Sequence, residues 1–364
     1  MGQIFKIDKF EREEEIGVAK KKISAADNSF SFEGPVVTQK VFPFDTDNNK
    51  VNEIVQHINP KRVKTLESNK IQDFTNDIKK NNYFCPNKLN ITIFDLQYSV
   101  MPDEDTIRLI AQALHGASEK AVFLPAIQKS LVQSIPKGRK CANWDENKFL
   151  SYKNMLKVMV EEIKMHNGKE IVGMVPFFLP IKYQRQVIDY YFTEGVRTFA
   201  IDANFSDLMN NEEDLCFTLS KIKKGVDGLE KTVISAFNTG IGYYDKEEVV
   251  SDDFLSIFAY VDVLGSTFKV RGGGGGNGPL KGRVFSSEKY SYDTMFEPDL
   301  RVKFGNNVNS LTIKNSNRSE QSKETTKIRP LIEEHKIKPY LATKSAVVKR
   351  ESIKRLESIA KKVG

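Results

Sequence analysis

Two aspartates stand where apolar runs stop. Asp95 ends ITIFD and Asp202 ends FAID, and each is followed or faced by side chains with hydrogen-bonding capacity. Gln128 follows VFLPAI, Asn204 follows Asp202 by two, Asn238 and Thr239 end VISAFNT, and Ser266 ends VDVLGS. Carboxylates accept from ring N–H groups, and amides both donate and accept. Two acids with several amides around one rim could therefore read the polar edge of a purine and assist proton transfer. Asp95 and Asp202 are the candidate catalytic residues, with Gln128, Asn204, Asn238 and Ser266 as base-binding ones. The plainer alternative is that both aspartates cap the helices that follow them.

These residues share a rim only if the apolar runs are parallel strands. LNITIFDL, KAVFLPAI, EIVGMVPFFLP, RTFAIDANF, KTVISAFNTG and VDVLGS alternate with helical stretches such as DEDTIRLIAQALHGA, capped by Asp103, and WDENKFLSYKNMLKVMVEEIKMH. Such alternation implies a parallel sheet with helices outside. No early strand is followed by GxGxxG, so a closed (β/α) TIM-like barrel is expected over an open nucleotide-binding sheet. In a barrel, working residues project from the carboxyl ends of the strands. Before it, QIFKI, EIGVAKKKI and SFSFEGPVVTQKVFPF read as an N-terminal antiparallel strand cap, and NEIVQHI as a short helix stopped by Asn59-Pro60.

Charge is unevenly placed. Residues 301–364 hold sixteen Lys and Arg against six Glu and no Asp, a balance of +10 in a chain whose net charge is +7. The C-terminal segment is therefore basic. It is either a polyanion-binding element or a lysine-rich solvated helix. Residues 301–328 are polar and read as a linker or loop, and residues 329–364 return to helical periodicity as a basic tail. Lys349, Arg350, Lys354 and Arg355 surround the apolar Val347, Ile353, Leu356 and Ile359. Five successive glycines, Gly272–Gly276, stand among Lys269, Arg271, Lys281 and Arg283. They read as a mobile loop after a strand or as a phosphate cradle in which backbone N–H groups and these four cations contact nucleic acid, as Lys349, Arg350, Lys354 and Arg355 would in the tail.

Cys85, Cys141 and Cys216 are isolated, and His57, His115, His166 and His335 show no ligand spacing. Neither a disulfide framework nor a structural zinc site is expected, and no cofactor or metal is implied. Lone histidines of this kind usually lie at the surface or in caps. No apolar run approaches the roughly 20 residues needed to cross a bilayer, and the charged MGQIFKIDKFEREEE is unlike a signal peptide. A cytoplasmic protein without a membrane partner is expected.

The order of these pieces resembles the tRNA-guanine transglycosylase superfamily, above all its archaeal branch. EEIGVAKKKISAADNSFSFEGPVVTQKVFPFDTD is similar to that family's opening strands. EIVGMVPFFLP through YQRQVIDYYFTEGVRTFAIDANF is similar to its strand, helix and next strand. KTVISAFNTG and YVDVLGSTFKVRGGGGGNGPLKGR stand where the family has a glycine-rich turn and then a nucleophile-bearing strand with an Arg-bearing loop. The likeness spans residues 1–300 and rests on order more than on identities. It implies a (β/α) barrel acting on or binding a purine or 7-deazapurine base in tRNA or DNA, as a queuine or archaeosine tRNA-ribosyltransferase-like glycosyltransferase.

The chain departs from that pattern at three places, one of them the lack of a visible Asp-Ser-Gly-x-Phe-Gln motif. Gly265 falls on the nucleophilic aspartate, and the Cys-x-Cys-x-x-Cys ligands are absent, with His335 alone able to correspond to a zinc ligand. The departures leave open a non-catalytic nucleic-acid-binding chain, as a homodimer or as the partner subunit of a base-modifying complex. A small-molecule barrel enzyme of similar fold is the third reading.

Overall fold

Short runs of Val, Ile and Phe that are apolar on both faces pair best in parallel, because helices then cover each side of the sheet. The computed structural model describes residues 5–27, 29–38, 51–64, 66, 70–78, 84–85, 88–134, 143–166, 168–240, 248–269 and 280–364. It is a mixed α/β fold. Its main sheet has six parallel strands in the order Val36–Val37, Val263–Leu264, Ile234–Phe237, Thr198–Asp202, Glu170–Pro176, Ala121–Phe123. A second, three-stranded parallel sheet has the order Val51–Ile58, Leu89–Leu96, Ala126–Ile127.

The two sheets touch at both edges. Residues 121–127 serve both, pairing first with Glu170–Pro176 and then with Leu89–Leu96. At the far edges the link is made by side chains. Glu53, buried on Val51–Ile58, accepts from Thr38 Oγ1 at 2.6 Å and from the Ser266 backbone N–H at 2.8 Å. Helices Glu104–Ala117, Glu146–Met165, Ile181–Thr193 and Glu212–Val226 separate the strands of the two sheets in sequence. Asp103 and Asp145 cap two of them by accepting from the N–H of Thr106 and Lys148. The expected N-terminal cap forms as Phe5–Arg12, Ala19–Ala25 and Ser31–Gly34, an antiparallel sheet whose Phe5, Ile23 and Phe32 are buried.

Two expectations fail for identifiable reasons. NEIVQHI is strand Val51–Ile58; its apolar residues at 51, 54, 55 and 58 imitate a helical face, yet buried Asn52 and Glu53 find partners and allow both faces to be covered. The linker expected over 301–328 is replaced by helices Glu297–Phe304 and Ser310–Glu333. The longer helix buries Gln321, Ser322, Glu324 and Thr325 beside Ile328 and Ile332, so its inward face is largely polar and escapes an apolar count. Glu324 takes hydrogen bonds from Tyr290 (2.8 Å) and Tyr340.

EEVVSDDFLSIFAYV is divided between strand Glu248–Val250 and helix Asp252–Leu255. That strand joins Lys281–Ser286 and Ser291–Phe296 in an antiparallel sheet. The tail forms Ile337–Ala342, Ser345–Lys349 and Ser352–Val363, with Val347, Leu356 and Ile359 buried. Among the described residues no helix is long and apolar enough to cross a membrane.

Candidate base-binding site at the carboxyl ends of the strands

Register decides which side chains meet. In the parallel ladder His57 pairs with Asp95, and Asp95 with Ala126, two residues before Gln128. Side chains at paired positions of a parallel ladder emerge on one face. Accordingly His57 Nδ1 lies 2.9 Å from Asp95 Oδ2, and Gln128 Nε2 donates to Asp95 Oδ1 at 3.2 Å. Gln97 Nε2 approaches the same carboxylate at 3.4 Å. Asp95 is fully buried, whereas the His57 side chain is 41% exposed. An imidazole thus stands between a buried acid and solvent, the arrangement of a proton-transferring pair.

Asp202, also fully buried, has a different partner. Its Oδ2 accepts from Lys269 Nζ at 2.5 Å, and its Oδ1 accepts from Asn238 Nδ2 at 2.8 Å and the Asn204 backbone N–H at 3.2 Å. Lys269 completes its three donations with Ile127 O at 2.7 Å and Asn204 Oδ1 at 3.3 Å. Lys269, expected to contact phosphate, is therefore inside the protein, because the strand-end carboxylate would otherwise be buried without a counter-charge. Asn238 holds the assembly: its Oδ1 accepts from the Phe268 and Lys269 backbone N–H groups at 2.9 and 3.0 Å. Asn204 and Asn238 take φ of 46° and 53°, a left-handed turn that Asn tolerates better than most residues.

Ser266 donates from Oγ to Glu53 Oε1, and its carbonyl accepts from the Asn238 N–H at 3.1 Å. The residues of the first reading are thereby joined through neighbours. Asp95 reaches Gln128, the adjacent Ile127 carbonyl reaches Lys269, and Lys269 reaches Asp202, Asn204 and Asn238, beside Ser266. Neither aspartate caps a helix: Asp103 caps Glu104–Ala117, and Asn211 precedes Glu212–Val226. His57, Gln97, Glu53 and Lys269 belong to this arrangement although sequence reasoning did not place them there. The helical spacing of NEIVQHI hid two of them.

Gly265 has a packing reason. A Cβ there would stand 1.9 Å from Phe237 Cδ1, so a side chain cannot be seated without moving that ring. Attack on a sugar by a carboxylate at this position is excluded by the residue itself.

Beside the acids is an aromatic patch. Lys129 Nζ and Lys269 Nζ each lie 5.6 Å from the Phe178 ring centre, and Trp144 lies near-parallel to Phe178 (10°) at 6.3 Å. Partial burial, and then the Lys269 charge, hold the Lys129 ammonium below its ordinary pKa.

The remaining cations are scattered. Lys281 is exposed over the Phe296 ring at 5.4 Å, and Arg283 lies on the same strand. Lys349 and Arg350 are exposed, Lys354 pairs with Glu351 at 2.7 Å, and the Arg355 guanidinium donates to Asn210 Oδ1. Elsewhere in the tail, Lys338 bridges Glu15 and Glu357, and Lys362 pairs with Glu212. Much of the tail's charge therefore fastens it to the body. Arg271, Gly272–Gly276 and Cys141 lie outside the described residues.

Among the described residues no three His, Cys, Asp or Glu are grouped as metal ligands would be. His335, the one position matched to a zinc ligand, is exposed with φ of 53° just after Ser310–Glu333. Comparison with protein-family models and with curated proteins finds no match.

Proposed function

We propose that the chain binds a purine or 7-deazapurine base of nucleic acid at the carboxyl ends of its parallel strands, as a tRNA-guanine transglycosylase-like protein. One observation carries this reading: a buried carboxylate, Asp95, hydrogen-bonded by Gln128 and flanked by the half-exposed His57. Asp95, buried behind them, orients Gln128 and His57, which carry the donor and acceptor groups that a purine edge requires. His57 and Asp95 form the acid–base pair for proton movement on the base. Asp202 positions Lys269, Asn204 and Asn238 behind them. The shared strand 121–127 and the Glu53 links support a single (β/α) barrel around this rim.

The packing of Phe237 over Gly265 favours a second reading, a binding subunit without base exchange. Two measurements separate these. Equilibrium binding should be about tenfold or more tighter for an oligonucleotide carrying guanine than for the same oligonucleotide abasic at that position, and Asp95→Asn with Gln128→Ala should abolish the difference. Equal affinity for both oligonucleotides in the native protein would refute base recognition. Mass spectrometry of nucleosides from cells with and without the gene then reports chemistry, since only an active enzyme changes a base.

A further inference from the structure

Trp144 is the sole tryptophan of the chain and remains 36% exposed, although it is held from several sides. It sits on Asn143–Trp144, a two-residue ribbon paired with Gln133–Ser134. Asp145 fixes that ribbon by accepting from Ser134 Oγ at 2.6 Å, and its backbone N–H donates to Val132 O at 3.2 Å. Lys148 Nζ donates to Gln133 O at 2.7 Å and Ser130 O at 3.0 Å. The Tyr183 ring meets the indole edge-on and itself stacks on buried Phe149 at 4.0 Å. A large aromatic surface kept in place and partly in water loses little freedom when a ligand covers it.

Its position adds a second argument. Phe178, near-parallel to Trp144, is the ring approached by both Lys129 and Lys269, and Lys129 directly follows Gln128. The aromatic pair, a cation and the base-edge site therefore occupy one short stretch of the rim.

Resting on the base-binding reading, we infer that Trp144 and Phe178, with Lys129, form a stacking platform for an unpaired base next to the one met by Gln128 and His57. The substrate class is then single-stranded nucleic acid or a loop. A base within a duplex has both faces covered by its neighbours and cannot offer one to an indole, whereas a splayed base can. Lys129 supplies the charge for a phosphate of the same strand.

The lone tryptophan makes the test direct. The full chain is titrated with a short guanine-containing single strand and with its duplex, following a label on the nucleic acid by anisotropy and Trp144 by its own emission. Binding of the single strand should quench Trp144 in step with anisotropy, and the duplex should bind about tenfold more weakly without quenching. Trp144→Ala should weaken single-strand binding about tenfold, while Trp144→Phe should stay within about threefold of the native protein. If Trp144→Ala fails to fold, quenching in the native protein still decides.

Binding of the single strand with unchanged emission overturns the platform and leaves the base-binding reading standing. Equal quenching by duplex overturns the assignment to unpaired bases. If neither nucleic acid binds at low salt, the base-binding reading falls and the platform with it.

Discussion

Lys21 and Lys269 are buried against aspartates at opposite ends of the same parallel sheet. Lys21 lies at the amino ends, where its Nζ meets Asp262 Oδ2 at 2.8 Å and the carbonyls of Leu229 and Thr232 at 2.9 Å each. Asp262 also accepts from the Ile234 N–H that begins the neighbouring strand. Around this pair, Arg12 donates to Tyr260 at 2.6 Å, and Lys223 holds the carbonyl of Val363 in the last helix. Every contact there ties one part of the chain to another. Lys269 at the carboxyl ends has equally complete bonding, but its surroundings include the left-handed Asn204, the Phe178 ring and Lys129 near the surface. The same ion pair thus works as a clamp at one end and lies beneath the proposed site at the other.

The largest effect should come from the clamp. Lys21→Met leaves the Asp262 carboxylate buried without its counter-charge, and we expect a loss of about 3–5 kcal/mol in urea unfolding. A loss below about 1 kcal/mol would break the comparison, since an unimportant pair cannot be a clamp.

At the other end, Asn238→Ala removes the bonds to Asp202, Phe268 and Lys269 and puts alanine at φ 53°. This should cost about 2–3 kcal/mol and weaken guanine discrimination as well. A stability loss with discrimination intact would show the turn to be only structural.

The short helix Asp252–Leu255 adds a pH dependence. Burial, with Asp207 beside it, pushes the Asp252 carboxyl up to about 8, and burial pushes Asp253 up to about 6. Acids raised above their unfolded values bind more protons in the native state, so stability should fall as pH rises from the ordinary carboxylate range through 8. Urea midpoints measured from pH 5 to 9 check this, and Asp252→Asn should flatten the upper part of the decline. A midpoint that rises over this range contradicts the sign.

The smallest effect is expected in the tail. Changing Lys349 and Arg350 to Glu should alter stability by less than about 0.5 kcal/mol. The slope of log affinity against log salt should change by less than about 1. A change of 2 or more would move the phosphate contacts from the rim to the tail.

Much of the sheet was legible because its strands are apolar throughout, and the strand-end rule then picked out Asp95, Gln128, Asp202 and Asn238. His57 and Glu53 were not, because Val51, Ile54, Val55 and Ile58 repeat with the spacing of a helix while Asn52 and Glu53 between them are buried by long-range bonds. Lys269 carried no mark distinguishing it from Lys281; only its bonds to Asp202 and the distant Ile127 carbonyl do so. Helix Ser310–Glu333 was hidden because it meets tyrosines through Glu324 and Gln321, where an apolar stripe would have revealed it.

The claim that the carboxyl end of the sheet recognises a base is tested most directly by a crystal structure of the chain with guanine or a guanine-containing single strand at a concentration that saturates it in solution. We expect the base edge within hydrogen-bonding distance of Gln128 and His57, with Asp95 behind them. A base seated instead on the tail or at the Lys21–Asp262 end, with Gln128 and His57 uncovered, would contradict it.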